Sequence, residues 1–251
     1  MTVCVNFDPS PNAMSLFITF EGPEGSGKST QARLLYERLH MRGYPIILAR
    51  EPGGTRISDL IRRIVLDLQH TEMAPTTETL LFSAARAQLV SERIQPYLDQ
   101  GGIVLCDRYA DSTYAHQGYG LGRNLEELRA ITSIATSGLL PDLTIYLDLS
   151  AEEGLERKRL KEQGAANRVM SPLSAGAPET AARPQVEWNR LDARDLAYHQ
   201  RVVTGYQTLM AQEPDRWRSF DARQSIDALA ESIAETVEPW LEHIQMLEPM
   251  P

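Results

Sequence analysis

A glycine-rich segment near the start of the chain carries residue types that bind the phosphates of a nucleotide. Residues 22–29 read Gly-Pro-Glu-Gly-Ser-Gly-Lys-Ser and fit the pattern G-x-x-x-x-G-K-[ST]. The glycines let the backbone turn tightly, so that amide N–H groups and the positive end of the following helix form an anion site. Lys28 adds a positive charge for the β- and γ-phosphates, and Ser29 offers a hydroxyl to Mg²⁺. The predicted phosphate-binding residues are Gly22, Pro23, Glu24, Gly25, Ser26, Gly27, Lys28, Ser29 and Thr30.

The flanking sequence places this segment, called the P-loop below, between a strand and a helix. An apolar stretch at about 16–21 precedes it, and an amphipathic helix follows at about 28–42. The alternative is a chance match in a glycine-rich turn, which would not require both flanking elements.

A second pair of charged residues ends a predicted buried strand. The apolar run at about 103–106 leads into Asp107 and Arg108. An aspartate at this place, downstream of a P-loop, is typical of the acidic group that holds the water shell of Mg²⁺. A neighbouring arginine can bind a phosphate through two hydrogen bonds. Ser29 and Asp107 are therefore the predicted metal-site residues, and a structural Asp–Arg pair is the less favoured alternative.

Two further segments could contact a ligand. Arg50 and Glu51 follow the apolar run at about 46–49, where open α/β sheets contact ligands, although a polar turn with a surface ion pair explains them equally well. Phe82 and Arg86 are four residues apart on one face of a predicted helix and could stack on a base and bind its edge. Taken alone, they favour a core phenylalanine and a solvated arginine.

The order of the predicted elements indicates the fold class. Strands and helices alternate, which predicts an α/β protein with a three-layer, doubly wound parallel sheet of about five strands. Residues 110–120 are predicted to be a loop, which suits a small polar pocket or any surface loop. The last two strands are expected at about 143–148 and 217–222, and the remaining helices at about 55–68, 76–98, 125–137, 151–161, 186–212 and 225–243.

A compositional break late in the chain suggests a lid. The helix at about 151–161 is basic, residues 164–185 are dominated by Ala, Ser, Pro and Gly, and the helix that follows opens with Arg190 and Arg194. A basic segment interrupted by a mobile insertion fits a lid at about 151–194 that closes over phosphates. The alternative is a solvated helical hairpin. We expect one domain over 15–251, with a disordered extension before it or a natural start at Met14.

Bulk composition excludes several classes of protein. The chain has 251 residues and a net charge of -9, which argues against a duplex-DNA partner because DNA-binding domains present a basic face. Two cysteines, Cys4 and Cys106, form no disulfide framework, and Cys106 is expected to be a buried small hydrophobe. The sequence shows no membrane-length apolar run and no signal peptide, so we expect a cytoplasmic protein.

Five motifs occur in one order, and together they are specific. After Glu24 come Arg-Glu-Pro-Gly-Gly-Thr at 50–55, Phe-Ser-Ala-Ala-Arg at 82–86, Asp-Arg-Tyr at 107–109 with Ser112, Thr113 and Gln117, and Pro-Asp-Leu-Thr-Ile-Tyr-Leu-Asp at 141–148. In this set the chain resembles bacterial thymidylate kinases, which belong to the P-loop nucleoside monophosphate kinases. The resemblance implies Mg²⁺-dependent transfer of the γ-phosphoryl group of ATP to dTMP, giving dTDP for dTTP synthesis, and a homodimer.

The resemblance also implies a role for each matching residue. The P-loop would cradle ATP, with Glu24 near the acceptor sugar and phosphate. Arg50 and Arg108 would hold the dTMP phosphate, and Asp107 would support Mg²⁺ with Ser29. In the base pocket Phe82 would stack on thymine, Arg86 would bind its O4 edge, Thr113 would lie near its N3 edge, and Ser112, His116 and Gln117 would complete the lining.

Family members that lack an arginine in the P-loop supply positive charge from the lid. The candidates in this chain are Arg157, Arg159, Lys161 and Arg190, of which Arg157 and Arg190 are favoured. With them, the expected catalytic residues are Lys28, Asp107 and Arg108. His116 stands where relatives usually carry Tyr or Phe, next to the sugar.

Three other functions are compatible with a P-loop. A kinase for a different nucleoside monophosphate would share the core, but Phe82 with Arg86 favours a pyrimidine with a carbonyl at position 4. A nucleotide-dependent switch or transporter-type ATPase should carry an N-K-x-D or L-S-G-G-Q-like motif, and neither is found. A catalytically inactive binding module is disfavoured by intact Lys28, Ser29 and Asp107.

Overall fold

A five-stranded parallel sheet forms the centre of the molecule. The computed structural model describes residues 14–169 and 188–246. The strands are β1 (Leu16–Glu21), β2 (Ile46–Arg50), β3 (Ile103–Asp107), β4 (Leu143–Asp148) and β5 (Trp217–Asp221). They lie in the order β2-β3-β1-β4-β5, with every neighbouring pair parallel.

Helices cover both faces of this sheet. They are α1 (Lys28–Met41), α2 (Arg56–Leu66), α3 (Pro75–Leu89), α4 (Gln95–Leu98), α5 (Ala110–Thr113), α6 (Leu125–Thr136), α7 (Ala151–Val169), α8 (Leu196–Gln212) and α9 (Ile226–Val237). The described residues also form two π-helical segments, Val90–Ile94 and Tyr114–Gly120, and a 3-10 turn, Glu238–Leu241.

Alternate residues of the buried strands form two separate cores. Leu16, Ile18 and Phe20 of β1 pack with α1 and α9 on one face, whereas Phe17 packs with α3, α5 and α8 on the other. Strands buried on both faces are expected to be almost continuously apolar, as these strands are. The structure therefore confirms the predicted three-layer, doubly wound α/β fold.

The strand order creates a crevice at one edge of the sheet. The chain passes from β1 to β2 and β3 on one side and only then to β4 on the other, so the order reverses at β1. In open α/β sheets, ligands bind outside the carboxyl ends of the strands at such a reversal. The P-loop follows β1, Glu51 follows β2, and Arg108 follows β3, so all three face this crevice.

Several predicted elements were wrong in type or extent. Residues 110–120, predicted to be a loop, are helical throughout, as α5 and a π-helical segment. The helix predicted from about 186 begins only at Leu196, where Asp195 caps it by accepting a hydrogen bond from the Tyr198 N–H at 2.7 Å. Arg190 and Arg194 therefore precede α8 in a turn. The helix predicted at 151–161 continues to Val169.

Two predictions fall partly or wholly outside the described residues. The expected mobile insertion at 164–185 begins inside α7, whose backbone is helical up to Val169, and its remainder lies outside the described residues. The expected disordered extension at 1–14 also lies outside them, apart from Met14. Within the described part of the chain, none of the helices combines the length and the apolar character needed to cross a bilayer.

Candidate active site

One cavity of about 420 Å³ lies in the crevice at the carboxyl ends of β1, β2 and β3. It joins the P-loop to the other clusters singled out in the sequence. The predicted site residues that line it are Glu24, Gly25, Gly27, Lys28, Ser29, Thr30, Arg50, Phe82, Arg86, Asp107, Arg108, Ser112, Thr113, His116 and Gln117.

The P-loop wraps around the side chain of Lys28. Gly27, with φ of 98°, precedes α1 in the left-handed region, which favours glycine. The Lys28 ammonium donates hydrogen bonds to the carbonyl oxygens of Gly22 and Pro23, at 3.0 Å and 2.7 Å. Burial lowers the pKa of Lys28 to about 8. The lysine is thus held at the centre of a ring of backbone groups.

Ser29 and Asp107 meet at the mouth of this loop. The Ser29 hydroxyl donates a hydrogen bond to Oδ2 of Asp107, the last residue of β3. A hydroxyl and a carboxylate are oxygen donors of the kind that Mg²⁺ prefers, and Mg²⁺ is commonly held by one or two protein groups together with substrate phosphates and water. The pair therefore fits the predicted metal site.

Arg108 is fixed in an uncommon backbone conformation. Its φ of 70° is unusual for a residue other than glycine, and its N–H donates to the Phe20 carbonyl at 3.0 Å. On one side its guanidinium pairs with Glu24 at 2.5 Å. On the other, Nη1 contacts the hydroxyls of Ser112 and Tyr206 at 3.2 Å and 3.0 Å.

The orientation of His116 follows from its contact with this arginine. Its Nε2 lies 3.3 Å from Nη1 of Arg108, whose two N–H groups are shared among this nitrogen, the Gly22 carbonyl and the two hydroxyls. Because a guanidinium cannot accept a hydrogen bond, Nε2 is the acceptor at this contact. Nδ1 then carries the proton and donates to the Tyr198 hydroxyl at 3.0 Å. Burial, with the Arg108 charge, lowers the pKa of His116 well below its ordinary value, so the ring is neutral at neutral pH.

Arg86 and Phe82 both line the cavity. Arg86 is 2 % exposed, so the solvated alternative for this residue is wrong. Nε donates to Glu51 at 2.8 Å, Nη1 to the Thr113 hydroxyl at 2.9 Å, and Nη2 to the Tyr109 carbonyl at 3.0 Å. The surface ion pair considered for Glu51 is likewise wrong, because Glu51 is buried against Arg86. Burial raises the pKa of Glu51, and the Arg86 charge opposes that rise.

Comparison with known proteins agrees with this arrangement. A sequence model described as thymidylate kinase matches residues 20–174. This chain belongs to the thymidylate kinase family. It is 72 % identical over 238 residues to a thymidylate kinase of Roseiflexus castenholzii, a match that covers 95 % of this chain and 99 % of that one. A thymidylate kinase of Herpetosiphon aurantiacus is 60 % identical, over 93 % of this chain and 100 % of the relative.

A solved structure supports the same assignment. The crystal structure of thymidylate kinase from Ehrlichia chaffeensis matches with a TM-score of 0.65 and 26 % identity, covering 89 % of this chain and 99 % of that chain. Both comparisons agree with the thymidylate kinase resemblance predicted from the ordered motifs. As a thymidylate kinase the chain is a phosphotransferase.

Of the four basic residues predicted for this kinase's lid, Lys161 lines the cavity, whereas the two favoured arginines do not. Arg157 donates to the Ala222 carbonyl at 2.8 Å, and Arg190 pairs with Glu78 at 2.6 Å; neither lines the cavity. Lys158 and Lys161 do line it. Lys158 pairs with Asp192 at 2.5 Å and lies 3.5 Å from Glu24, so it links the predicted lid to the P-loop.

Glu78 ties the segment before α8 to Gln117, which lines the cavity. It is 1 % exposed, and its Oε2 accepts hydrogen bonds from Arg190 and Arg194, both at 2.6 Å. Its Oε1 accepts from the Gln117 amide at 2.9 Å. The two arginines predicted to open the lid's second helix therefore hold that segment against α3.

The sequence analysis missed five residues of this network: Glu21, Glu78, Lys158, Asp192 and Tyr206. Each is a single polar side chain with no motif of its own; Asp192 lies in the turn before α8, and the other four lie within a strand or a helix. Their partners are distant in sequence: the Tyr206 hydroxyl bonds Glu21 across 185 residues. The one available signal was Glu21 itself, a carboxylate at the end of an otherwise apolar strand.

Proposed function

We propose that this kinase transfers the γ-phosphoryl group of ATP to dTMP, giving dTDP and ADP for dTTP synthesis. The observation that carries the proposal is that one cavity is lined both by the P-loop and by the buried Arg86 together with the aromatic Phe82. The P-loop suits the donor, and the Phe82–Arg86 end suits the base of the acceptor. Because both substrates are nucleotides of the cell interior, we place the enzyme in the cytoplasm, with no membrane or nucleic-acid partner.

On the donor side, the P-loop amides and Lys28 bind the phosphates of ATP. Ser29 and Asp107 would hold Mg²⁺, which would neutralise charge on the phosphates. Phosphoryl transfer has a loose, in-line transition state, so the protein mainly positions the reactants and neutralises charge. The attacking group is already a phosphate oxygen of low basicity, which removes the need for a strong general base.

On the acceptor side, Arg50 and Arg108 hold the dTMP phosphate. Arg50 is exposed at the end of β2 and can reach a ligand in the cavity, whereas Arg108 is already oriented by Glu24 and the two hydroxyls. Glu24 in turn lies between Arg108 and Lys158. This placement lets the P-loop carboxylate set the position of both cations.

The base is read by Phe82, Arg86 and Thr113. Phe82 stacks on thymine. In Arg86, Nε donates to Glu51, Nη2 to the Tyr109 carbonyl, and one N–H of Nη1 to Thr113. Nη1 has a second N–H, and this donor suits the carbonyl O4 of thymine. The Thr113 oxygen accepts from Arg86 and keeps a lone pair for the N3–H of thymine. Cytosine has an amino group at position 4, so two hydrogen-bond donors would face each other there and no hydrogen bond could form.

The lid cations that we propose are Lys158 and Lys161, in place of Arg157 and Arg190. Both lysines line the cavity, and Lys161 is exposed at its mouth. Positive charge from this side stabilises the transferring phosphoryl group, and a lid over the site limits hydrolysis of ATP by water.

We also propose that the enzyme is a homodimer through α2. Ile57, Leu60 and Ile64 are 42 %, 47 % and 43 % exposed and recur at the spacing of one helical face. Leu80 of α3, the helix that packs against α2, is 52 % exposed as well. Light scattering should give twice the chain mass, and Leu60→Glu should give the single-chain mass.

A coupled assay of ADP release tests the proposed reaction. Mg-ATP is supplied with dTMP, dUMP, ribothymidine monophosphate, dCMP, dGMP or AMP in parallel. We expect strong dependence on dTMP, weaker use of dUMP, and little use of the others. Acceptor-independent ATP hydrolysis, or preference for another base, would contradict the substrate assignment.

A further inference from the structure

A buried carboxylate lies behind the arginine that is proposed to hold the acceptor phosphate. Glu21 is the last residue of β1 and is 0 % exposed. Its Oε1 accepts a hydrogen bond from the Tyr109 N–H at 2.7 Å. Its Oε2 accepts from the hydroxyls of Ser112 at 2.7 Å and Tyr206 at 2.9 Å. Glu21 is not among the residues that line the cavity.

The two hydroxyls that contact Glu21 are the same two that contact Arg108. Nη1 of Arg108 lies 3.2 Å from the Ser112 oxygen and 3.0 Å from the Tyr206 oxygen. A hydroxyl has one proton and two lone pairs. When each proton is given to the Glu21 carboxylate, both oxygens are left with lone pairs for the guanidinium.

Without that carboxylate the hydroxyls of Ser112 and Tyr206 could form a hydrogen bond with each other instead. Their oxygens are 2.9 Å apart, close enough for one to donate to the other. A carboxylate is the stronger acceptor because the hydrogen bond to it is charge-assisted. Glu21 therefore fixes the direction in which the Ser112 and Tyr206 hydroxyls donate their protons.

We propose that Glu21 is a positioning residue: it orients the hydroxyls of Ser112 and Tyr206 so that they hold the Arg108 guanidinium ready for the acceptor phosphate. This rests on the proposed function of Arg108. Glu24 pairs with the other side of the same guanidinium at 2.5 Å. Arg108 is thus held from two sides, and its strained backbone, with φ of 70°, is balanced by these contacts.

The Tyr206 contact extends this arrangement to α8. Tyr206 belongs to α8, and its ring packs against Tyr146 at 5.5 Å between centroids. Tyr146 is also buried, but its hydroxyl makes none of the contacts to Glu21, Ser112 or Arg108. Tyr146→Phe is therefore a matched control for Tyr206→Phe.

Binding of dTMP and of thymidine to wild type, Glu21→Gln, Tyr206→Phe and Tyr146→Phe tests the proposal, measured by calorimetry at about pH 8.5, where Glu21 is a carboxylate because its pKa is about 7. In Glu21→Gln an amide N–H would replace one acceptor oxygen, so a hydroxyl must accept where it formerly donated. We expect the Kd for dTMP to rise about tenfold in Glu21→Gln and about fivefold in Tyr206→Phe, as for loss of one or two hydrogen bonds. Thymidine, which has no phosphate, should bind all four proteins equally.

Kinetics and unfolding complete the test. The KM for dTMP should rise in the same two variants, while the KM for ATP stays within about twofold and Tyr146→Phe behaves as wild type. Urea denaturation confirms that each variant is folded. Equal loss of dTMP and thymidine binding, or unchanged dTMP binding in both variants, would overturn the positioning role. Failure of wild type itself to bind dTMP would instead contradict the proposed function, and the positioning role with it.

Discussion

The backbone of Gly154 in α7 lies directly against the backbone of Glu24 in the P-loop. A Cβ atom at position 154 would lie 2.1 Å from the Glu24 carbonyl oxygen. The reverse also holds, since a Cβ at Gly25 would lie 2.1 Å from the Gly154 carbonyl oxygen. Because both partners are backbone, rotation of a side chain cannot relieve the overlap. The first turn of the predicted lid helix therefore sets the position of the phosphate-binding loop.

Gly154→Ala should weaken ATP binding more than dTMP binding. The added methyl group must push α7 and the P-loop apart, and small misplacements of binding groups can lower rates strongly. We expect the KM for ATP to rise at least tenfold, with a stability loss of about 1–3 kcal/mol from overpacking. Glu156→Ala, an exposed position on the same helix, is the control and should leave both quantities unchanged. An unaltered KM for ATP in Gly154→Ala would contradict this coupling.

Arg86 should contribute separately to stability and to base recognition. Arg86→Ala leaves Glu51 buried without its ionic partner, which should cost about 3 kcal/mol of stability, measured by urea denaturation. Replacing both residues, in Arg86→Met with Glu51→Leu, should recover much of that loss while dTMP turnover stays low. Recovery of dTMP turnover in the double variant would show that Arg86 does not read the base.

Lys161 should act in turnover without stabilising the fold. It is exposed and lines the cavity, so Lys161→Met should lower kcat about tenfold or more at unchanged free energy of unfolding. Arg159 lies on the same helix and stacks on Trp188 at 5.5 Å, outside the cavity lining. Arg159→Met is the matched control, with kcat expected within about twofold of wild type. Equal kcat for both variants would remove Lys161 from the site.

Stability should depend on pH through Glu21. Burial, together with the Asp111 charge, raises the pKa of Glu21 from 4.5 to about 7, so the folded state holds this proton more tightly than the unfolded chain. The stabilisation is fully present below about pH 4.5 and is lost as pH rises through about 7. The unfolding free energy of wild type minus that of Glu21→Gln should fall by about 3 kcal/mol between pH 4.5 and 8. Urea denaturation across this range measures it, and a flat or rising difference would contradict the raised pKa.

The features that could be predicted from the sequence are those encoded by residues that are close together along the chain. Short runs of neighbouring residues specify the P-loop and the strands. Strand β1, for example, was predicted with its observed bounds, Leu16–Glu21. The segment at 110–120 was predicted as a loop because its glycines and hydroxyl residues are typical of turns. In the structure it packs closely against α8, and this tertiary contact outweighs local preference.

The buried charged residues could not be predicted from local patterns, because their partners are distant along the chain. Arg86 was recognised only through the family resemblance, because its burial depends on Glu51, 35 residues earlier. Arg157 and Arg190 were chosen as lid cations for their charge, but the Ala222 carbonyl and Glu78 bind them away from the cavity. Neither partner is apparent from spacing along the chain, since the contacts join elements 65 and 112 residues apart.

Transfer of labelled phosphate from [γ-³²P]ATP to dTMP tests the central claim most directly. The purified chain is incubated with Mg²⁺ and labelled ATP, with and without dTMP, and the nucleotides are separated. The proposed function predicts label in dTDP that depends on dTMP, with little free phosphate, and loss of that product in Lys28→Ala, which should remain folded because a single P-loop side chain is changed. Label released only as inorganic phosphate, or equal label in dCDP when dCMP is supplied, would contradict it.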